Sequence, residues 1–247
     1  MLIKFLGCHS AFGRTHNNAY FRAGDDLVLI DLSMLHFNDV RDLIESENAP
    51  CGNTVYIFLT HMHDDHFSGI PMFIHWCVYY ANKRVVIITG DTLYDDVMTE
   101  FRIKGVKEGQ FSLYTYAPGS NMPVRVEGET GHEVKIADIL SDIIPTTHTP
   151  TLEDKCFGFR LYAGDDPFVY TGDTATLEPF IMALKSGDEL YCEMAVHYGE
   201  VHLLWEEQKD TLFKLSLDHK IYLMHMDDEE ALSKLIEGTS INLARLG

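Results

Sequence analysis

Short apolar runs alternate with amphipathic stretches along most of the chain, which predicts strands interleaved with helices. The apolar runs are rich in β-branched and aromatic residues, which favours strands. The predicted strands are residues 2–6, 19–22, 27–30, 55–60, 84–89, 157–162, 168–171, 189–195 and 220–224. The predicted helices are residues 38–47, 66–80, 94–104, 177–185, 203–215 and one that begins at Asp228.

The middle of the chain, residues 111–147, is rich in β-forming residues and has turn signals at 118–119 and 128–131. We therefore expect this section to form strands. Trp76, Tyr79 and Tyr80 occur at helical spacing, which predicts that they pack in the core. Because there is neither a repeat of fixed period nor a low-complexity linker, residues 1–247 are predicted to form one domain of mixed sheets covered by helices.

Composition places the chain among ordinary globular proteins, with 46% hydrophobic and 23% charged residues. No apolar run approaches the ~20 residues that span a bilayer, and the first residues resemble a strand more than a signal peptide. The five cysteines are scattered and contain no C-x-x-C pair. This pattern argues against a disulfide framework and predicts a reducing, cytoplasmic location.

The net charge of −19 changes the expected partners, because an acidic surface repels polyanions. Nucleic-acid binding normally depends on clustered Lys and Arg, and the sequence has no such cluster. We expect a small-molecule substrate, no transfer RNA and no membrane partner. The sequence leaves the oligomeric state open, a homodimer included.

The strongest chemical signal is the segment THMHDDHFSG, residues 60–69, directly after a predicted buried strand. Three imidazoles and two carboxylates within six residues are costly to bury without a purpose. Imidazole and carboxylate ligands together suit zinc first, with manganese or iron as alternatives. A solvated histidine-rich turn is the other interpretation.

The spacing of His61, His63, Asp65 and His66 resembles H-x-H-x-D-H, the hallmark of the metallo-β-lactamase superfamily. Residues 17–20 and 27–31 resemble the opening hairpin of that family, which ends in an aspartate. The resemblance implies an α/β fold, a four-layer αββα sandwich with metals at one edge of the sheets. It also implies three later ligands in fixed order: a histidine, a bridging aspartate and a final histidine.

His148 fits the first of these later ligands because it ends a β-rich run, with His132 as a rival. Asp173 and Asp91 both occur in the sequence Thr-Gly-Asp-Thr, but only Asp173 follows His148, so Asp91 is read as a helix cap or turn residue. His225 ends an apolar strand and fits the final histidine.

The resemblance implies that these residues hold two divalent ions. One ion would be held by His61, His63 and His148, a second by Asp65, His66 and His225, and Asp173 would bridge them. A hydroxide between the two ions would be the nucleophile, because a bound ion lowers the pKa of water to about 7. Asp65 would also have a catalytic role, orienting that hydroxide.

Glu193, His197 and His202 form a second group of chemical interest, after the predicted strand 189–195. Members of the superfamily often place a histidine near the leaving group. Either His202 or His197 would then donate a proton to it or bind a phosphoryl oxygen. The alternative is that both are ordinary surface histidines.

The leading hypothesis for the reaction is hydrolysis of a small phosphodiester, cyclic ones included. The short Leu-Met-His element at 223–225 resembles the ribonuclease Z-like and cyclic-phosphodiesterase branches, although no basic insertion of the transfer-RNA enzymes follows Asp173. Thioester, lactone or carboxylic ester hydrolysis is the alternative, because glyoxalase-type enzymes share the ligand set. A non-catalytic metal-bound sensor would be expected to have lost ligands, and a di-iron oxidoreductase would need a further domain.

Overall fold

The computed structural model describes residues 1–46 and 51–247, and these form thirteen strands and eight helices. The strands are β1 (Lys4–Gly7), β2 (Asn18–Ala23), β3 (Asp26–Ile30), β4 (Thr54–Phe58), β5 (Arg84–Gly90), β6 (Ser112–Tyr116), β7 (Arg125–Glu127), β8 (Leu140–Thr146), β9 (Cys156–Ala163), β10 (Asp166–Tyr170), β11 (Glu189–Glu193), β12 (Ile221–Met224) and β13 (Asn242–Leu243). The helices are α1 (Phe37–Glu45), α2 (Asp64–Phe67), α3 (Ile70–Trp76), α4 (Tyr94–Ile103), α5 (Glu133–Ile139), α6 (Glu178–Ala183), α7 (Trp205–Leu215) and α8 (Glu229–Leu235).

Seven strands form the first sheet, in the order β1-β2-β3-β4-β5-β6-β7. Strands β3 to β6 run parallel, so each connection between them must cross over the sheet, and α1 to α4 lie in these crossovers. Strand β4 reads TVYIF and is buried along its whole length. Such a continuous apolar strand is typical of a parallel sheet that is covered on both faces.

The second sheet has the order β13-β12-β11-β10-β9-β8 and packs face to face with the first. Aromatic side chains join the two sheets across the core: the Phe21 and Phe168 ring centroids are 5.5 Å apart, and those of Phe58 and Phe159 are 5.4 Å apart. Two facing sheets with helices outside them confirm the predicted αββα sandwich.

The first segment of the chain is tied to the last strands. Phe5 bridges to Leu246, and His9 bridges to Met226. The backbone amide of Met226 donates to the carbonyl of Cys8 at 2.8 Å, and the amide of Ser10 donates to the carbonyl of Met226 at 3.0 Å. These bonds bring the loop after β1 against the end of β12.

A buried ion pair fixes the second sheet. Arg160 on β9 and Asp188 before β11 are 5% and 1% exposed, and they form two parallel hydrogen bonds. Arg160 Nε donates to Asp188 Oδ2 at 2.8 Å, and Nη2 donates to Oδ1 at 2.9 Å. Forked pairing of this kind adds geometric specificity to the charge interaction.

The predicted helix over 66–80 is divided in the structure. It forms α2, α3 and a π-helical turn over Cys77–Ala81. Pro71 lies in the first turn of α3, where a proline is tolerated, but it cannot continue a helix that began before it. Tyr79 and Tyr80 are 64% and 83% exposed, so the expectation that they lie in the core is wrong.

Two further expectations from the sequence differ from the structure. The middle section contains the helix α5, where strands were expected, and this short helix buries Ile136 and Ile139. The helix predicted over 38–47 occurs as α1 and ends at Glu45, while Glu47 lies outside the described residues.

The helices of the described ranges include none with the length and apolar character that a membrane crossing requires.

Candidate metal centre

The histidine-rich segment between β4 and α2 lies where the two sheets meet. The amide of Leu59 donates to the carbonyl of Ile88 in the first sheet, and the carbonyl of Thr60 accepts from the amide of Phe157 in the second. His61 and His66 are fully buried, and the side chain of His63 is half-buried. Both sheets therefore fix the backbone that carries these side chains.

The first group of side chains comprises His61, His63, His148 and Asp173, whose ligand atoms all lie within 4.8 Å of one another. His63 Nδ1 is 3.0 Å from His61 Nε2 and 3.3 Å from His148 Nε2. Asp173 Oδ2 lies 3.8 Å from His61 Nε2 and 3.7 Å from His148 Nε2.

The second group comprises Asp65, His66, His225 and the same Asp173, again within 4.8 Å of one another. Asp65 Oδ2 is 3.2 Å from His66 Nε2 and 3.4 Å from His225 Nε2. Asp173 Oδ1 is 3.4 Å from His66 Nε2, and Asp173 Oδ2 is 3.2 Å from His225 Nε2. The structure thus brings all seven sequence-predicted ligand residues together, with Asp173 in both groups.

The chemistry of these groups fits divalent cations. His66 Nε2 and Asp173 Oδ1 are buried, yet within the described part of the chain neither has a hydrogen-bond partner. Buried polar atoms without a partner are rare because they cost free energy, and a cation between them would remove that cost. Two adjacent sets of imidazoles and carboxylates are the donors that zinc, manganese and iron accept.

The electrostatics of the second group favour a positive charge. Burial opposes ionisation of Asp65 and Asp173, but the histidines around them outweigh it and hold the pKa of both carboxyls well below its usual range. Burial alone would lower the pKa of His225, but Asp173 and the neighbouring carboxylates raise it to about 10. The field that attracts a proton to this histidine also attracts a metal cation.

Hydrogen bonds outside the centre orient three of the imidazoles. Nδ1 of His66 is 2.7 Å from Asp31 Oδ2, and Nδ1 of His148 is 2.7 Å from the carbonyl of Val201. Nδ1 of His61 is 3.0 Å from Thr60 Oγ1. Each contact leaves Nε2 directed into the centre, as is usual for metal-binding histidines.

Asp31 is a candidate positioning residue whose contacts the sequence did not reveal, although it ends the predicted opening hairpin. It accepts hydrogen bonds from the amide of Thr60 at 2.8 Å and from Thr60 Oγ1 at 2.7 Å. Its φ of 59° is in the left-handed region, which aspartate tolerates better than most residues. Asp31 therefore joins the end of β3 to the histidine-rich segment.

A cavity of about 820 Å³ opens above the two groups, with His63, Asp65 and Asp173 among its lining residues. Phe12 and Tyr198 also line it, and these aromatic side chains are 102% and 69% exposed. The lining residues include no lysine or arginine. Histidines are therefore the basic side chains that an anionic ligand meets among the described lining residues.

The rival candidates lie outside both groups. His132 lies at the start of α5, and its Nδ1 is 3.3 Å from the hydroxyl of Tyr56. Asp91 accepts from Thr115 Oγ1 at 2.8 Å and is 3.2 Å from Arg125 Nε. Asp91 begins a short 3-10 turn, in keeping with the expectation of a turn residue.

Buried Glu193 and partly buried His202 form a pair next to the metal-ligand groups. His202 Nδ1 is 2.6 Å from Glu193 Oε2, and the His202 ring centroid is 4.9 Å from that of His148. Burial would lower the pKa of His202, but the Glu193 carboxylate outweighs it and raises that pKa. Glu193 also accepts a hydrogen bond from the amide of Thr174, the residue after Asp173.

His197, the other candidate proton donor, lies apart from this pair. Its side chain is 57% exposed, and its Nε2 is 3.3 Å from Asp228 Oδ2. It is not among the residues that line the cavity, whereas His202 is.

Comparison with known proteins identifies the family. The family described as Anti-Pycsar protein Apyc1 matches residues 1–245. The chain belongs to the Anti-Pycsar protein Apyc1 family. The seven candidate ligands, residues 61–225, all lie within the part of this Apyc1-family chain that matches.

Solved structures confirm that this Apyc1-family chain has the metallo-β-lactamase fold. The metallo-β-lactamase fold protein YhfI from Bacillus subtilis is 17% identical with a TM-score of 0.73, covering 99% of this chain and 96% of that one. A diphosphatase from the PhnP family is 15% identical with a TM-score of 0.70, covering 99% and 95%. The short form of human tRNase Z is 18% identical with a TM-score of 0.61, covering 91% and 92%.

A curated relative also shares sequence similarity with this chain. Ribonuclease Z of Methanocaldococcus jannaschii is 24% identical over 137 residues, which is 54% of this chain. The match covers 42% of that relative, so the two proteins align over less than half of its length. Ribonuclease Z and the diphosphatase are hydrolases by name, and the His/Asp groups of this chain are consistent with a metal-dependent hydrolase of the same fold.

Proposed function

We propose that this protein is a dinuclear metal-dependent phosphodiesterase that hydrolyses a small, negatively charged phosphodiester, with cyclic nucleotides as the leading candidates. The observation that carries the proposal is the pair of ligand groups that share Asp173 beneath a cavity whose described lining residues include no lysine or arginine. A phosphodiester anion in this cavity would depend on metal cations for its attraction.

The two ligand groups assign the ions. His61, His63 and His148 would hold one ion, Asp65, His66 and His225 would hold the other, and Asp173 would contact both. Zinc is our first choice, with manganese or iron as alternatives. Bound divalent ions supply Lewis acidity that makes hydroxide available near neutral pH and offsets the charge that develops on the phosphoryl group.

Asp65 and His202 are the residues that we assign to proton control. The ionised carboxylate of Asp65 accepts a hydrogen bond from the attacking water and orients it. His202 lines the cavity, and its Nδ1 is committed to Glu193, while its Nε2 has no hydrogen-bond partner among the described residues. As the bond between phosphorus and the leaving oxygen breaks, Nε2 donates its proton to that oxygen and later regains one from water.

The cavity and the surface charge support a small substrate. A volume of about 820 Å³ is in the range of small-molecule sites, and exposed Phe12 offers a face on which a nucleobase can stack. The net charge of −19 repels a long polyanion, whose phosphates extend beyond the Debye length of about 8 Å at physiological salt. A small phosphodiester experiences mainly the local field of the metal centre.

The choice of phosphorus over carboxyl esters has separate support. Two of the similar proteins are named as a ribonuclease and a diphosphatase, and both of these activities cleave phosphorus–oxygen bonds. The Glu193–His202 pair suits a phosphodiester with a poorly leaving alkoxide, because such an oxygen requires a proton as the bond breaks.

The proposal is tested by a panel assay at fixed salt with the zinc and manganese forms. The panel contains cyclic nucleotides, bis-nitrophenyl phosphate, a lactone, a thioester and a transfer-RNA precursor. We expect turnover of the small phosphodiesters and none of the precursor, and Asp173→Asn in the same preparation controls for contaminating enzymes. Thioester or lactone turnover orders of magnitude above that of every phosphodiester would overturn the assignment of a phosphodiester substrate.

The cysteines support a reducing location, and we place the protein in the cytoplasm. All five are free thiols. Burial raises the pKa of Cys8 to about 12 and raises that of Cys77 as well, so neither forms the reactive thiolate at neutral pH. Full activity in the presence of a thiol reductant is the expected result.

A further inference from the structure

Two adjacent asparagines, Asn17 and Asn18, lie fully buried where β2 begins, next to the metal centre. A side-chain amide is costly to bury unless its donors and its acceptor are paired. Both amides have hydrogen-bond partners, those of Asn17 on the side of the second sheet and those of Asn18 mainly in loops beside the first. A buried polar pair of this kind specifies the relative position of the groups that it joins.

Asn17 reaches the second sheet. Its Nδ2 donates to the hydroxyl of Tyr170 on β10 at 2.7 Å, and its Oδ1 accepts from the backbone amide of His225 at 3.3 Å. His225 has a φ of 50°, a left-handed conformation that is uncommon outside glycine and persists only where its surroundings fix it. Asn17 is one of the groups that fix it.

Asn18 reaches the loops of the first sheet. Its Nδ2 donates to the backbone carbonyl of Asp65 at 3.0 Å, and its Oδ1 accepts from the amide of Ser33 at 2.9 Å. Nδ2 also donates to the carbonyl of Asn17 at 2.9 Å, so the two asparagines are bonded to each other.

The residues held by the two asparagines face each other in the second ligand group, where His225 Nε2 is 3.4 Å from Asp65 Oδ2. One of these ligands comes from the end of β12 and the other from the start of α2, so no local sequence fixes their separation. Within the described residues, neither asparagine forms a hydrogen bond with the histidines 61, 63 and 148 of the first group.

We propose that Asn17 and Asn18 are positioning residues that set the spacing of the second metal site across the two sheets. The inference rests on the proposed metal-dependent function. Residues that orient metal ligands from outside the coordination shell typically change metal affinity by 10–100-fold. Loss of either asparagine should weaken the second site by about this factor and leave the first site at wild-type affinity.

The test is a cobalt titration of protein stripped with a chelator, followed by the visible d–d absorption and by elemental analysis. The variants are Asn17→Leu and Asn18→Leu, which remove the amide at similar volume. Tyr56→Phe is the matched control, because it deletes a buried hydroxyl that contacts His132 at 3.3 Å, away from the centre. We expect two equivalents of cobalt to bind tightly to the wild type and the control. In each asparagine variant, one equivalent should bind tightly and the second with weakened affinity.

The outcomes separate this inference from the proposed function. Two equivalents at wild-type affinity in both variants, or equal weakening of both sites, would overturn the positioning role alone. At most one equivalent in the wild type would overturn the dinuclear function together with it. If the leucine variants do not fold, as judged by near-ultraviolet circular dichroism, Asn17→Ser and Asn18→Ser give the answer in the same titration.

Discussion

Replacing His202 with asparagine tests the proton donor with the least disturbance of its surroundings. An asparagine amide can occupy the position of imidazole Nδ1, which is 2.6 Å from Glu193 Oε2 in the structure. The variant therefore keeps a donor for the buried Glu193 carboxylate. Without a donor, the loss of this charge-assisted hydrogen bond would destabilise the folded protein. What it removes is Nε2, the atom assigned to protonate the leaving oxygen.

The expected effect depends on the leaving group. General acid catalysis contributes about 10²–10⁴-fold, or about 2.7–5.4 kcal/mol in the activation free energy. A ribose alkoxide needs the proton and should lose that factor, whereas nitrophenolate leaves as the anion and should lose little. The His202 side chain is 19% exposed, so the free energy of unfolding should fall by only about 1 kcal/mol.

The assay compares kcat for a cyclic nucleotide and for bis-nitrophenyl phosphate, with metal content measured in the same samples. His197→Asn is the matched control, because His197 is exposed and pairs with Asp228 rather than lining the cavity. Equal losses on the two substrates would refute the proton-donor role. An unchanged His202 variant beside a strongly impaired His197 variant would transfer the role to His197.

Three further outcomes follow from contacts described above. Asp173→Ala should reduce the metal content from close to two ions per chain to below one, because this carboxylate belongs to both ligand groups. Elemental analysis that finds at most one ion in the metal-replete wild type would contradict the dinuclear centre. Phe12→Ala should raise KM for a cyclic nucleotide by about 5–150-fold, the equivalent of ~1–3 kcal/mol of base stacking, and Phe12→Trp should not. An equal rise for ribose cyclic phosphate, which has no base, would argue against stacking. Asp188→Asn should lower the free energy of unfolding by about 3–5 kcal/mol, because Arg160 is left buried without its anionic partner, and an unchanged midpoint in urea would exclude that contribution.

The elements that the sequence predicted well are those with a strong hydrophobic signal. Strand β4 is a continuous apolar run, and its place in the parallel sheet follows from that character. The helix α5 has only seven residues within a β-rich section, too few for its periodicity to compete with the composition around it. The division of the helix near Pro71 depended on how one proline is accommodated.

In the candidate site too, some features can be read from the sequence and others cannot. The spacing of His61, His63, Asp65 and His66 is visible in six residues, and the order of the later ligands follows from the family resemblance. The contacts of Asn17 cannot be read in this way, because more than 150 residues separate it from Tyr170 and His225. Such partners meet only through the packing of the two sheets.

The choice between His197 and His202 illustrates the same limit. The two histidines are five residues apart and have the same intrinsic chemistry. Only the fold shows that His202 turns inward to the fully buried Glu193, while His197 faces solvent beside Asp228. Burial and pairing with an acid, rather than residue type, distinguish them.

The bridge between His9 and Met226 has a consequence for the order of events during synthesis on the ribosome. The early ligands at positions 61–66 emerge long before His225, which lies 159 positions after His66 and completes the set only when it packs against the first segment. At about 5–20 residues per second, the nascent chain spends roughly 10–30 s with an incomplete centre. An ion that meets the nascent chain finds three histidines and one aspartate without the later candidate ligands, so we expect the complete set to bind metal only after the last strands have folded.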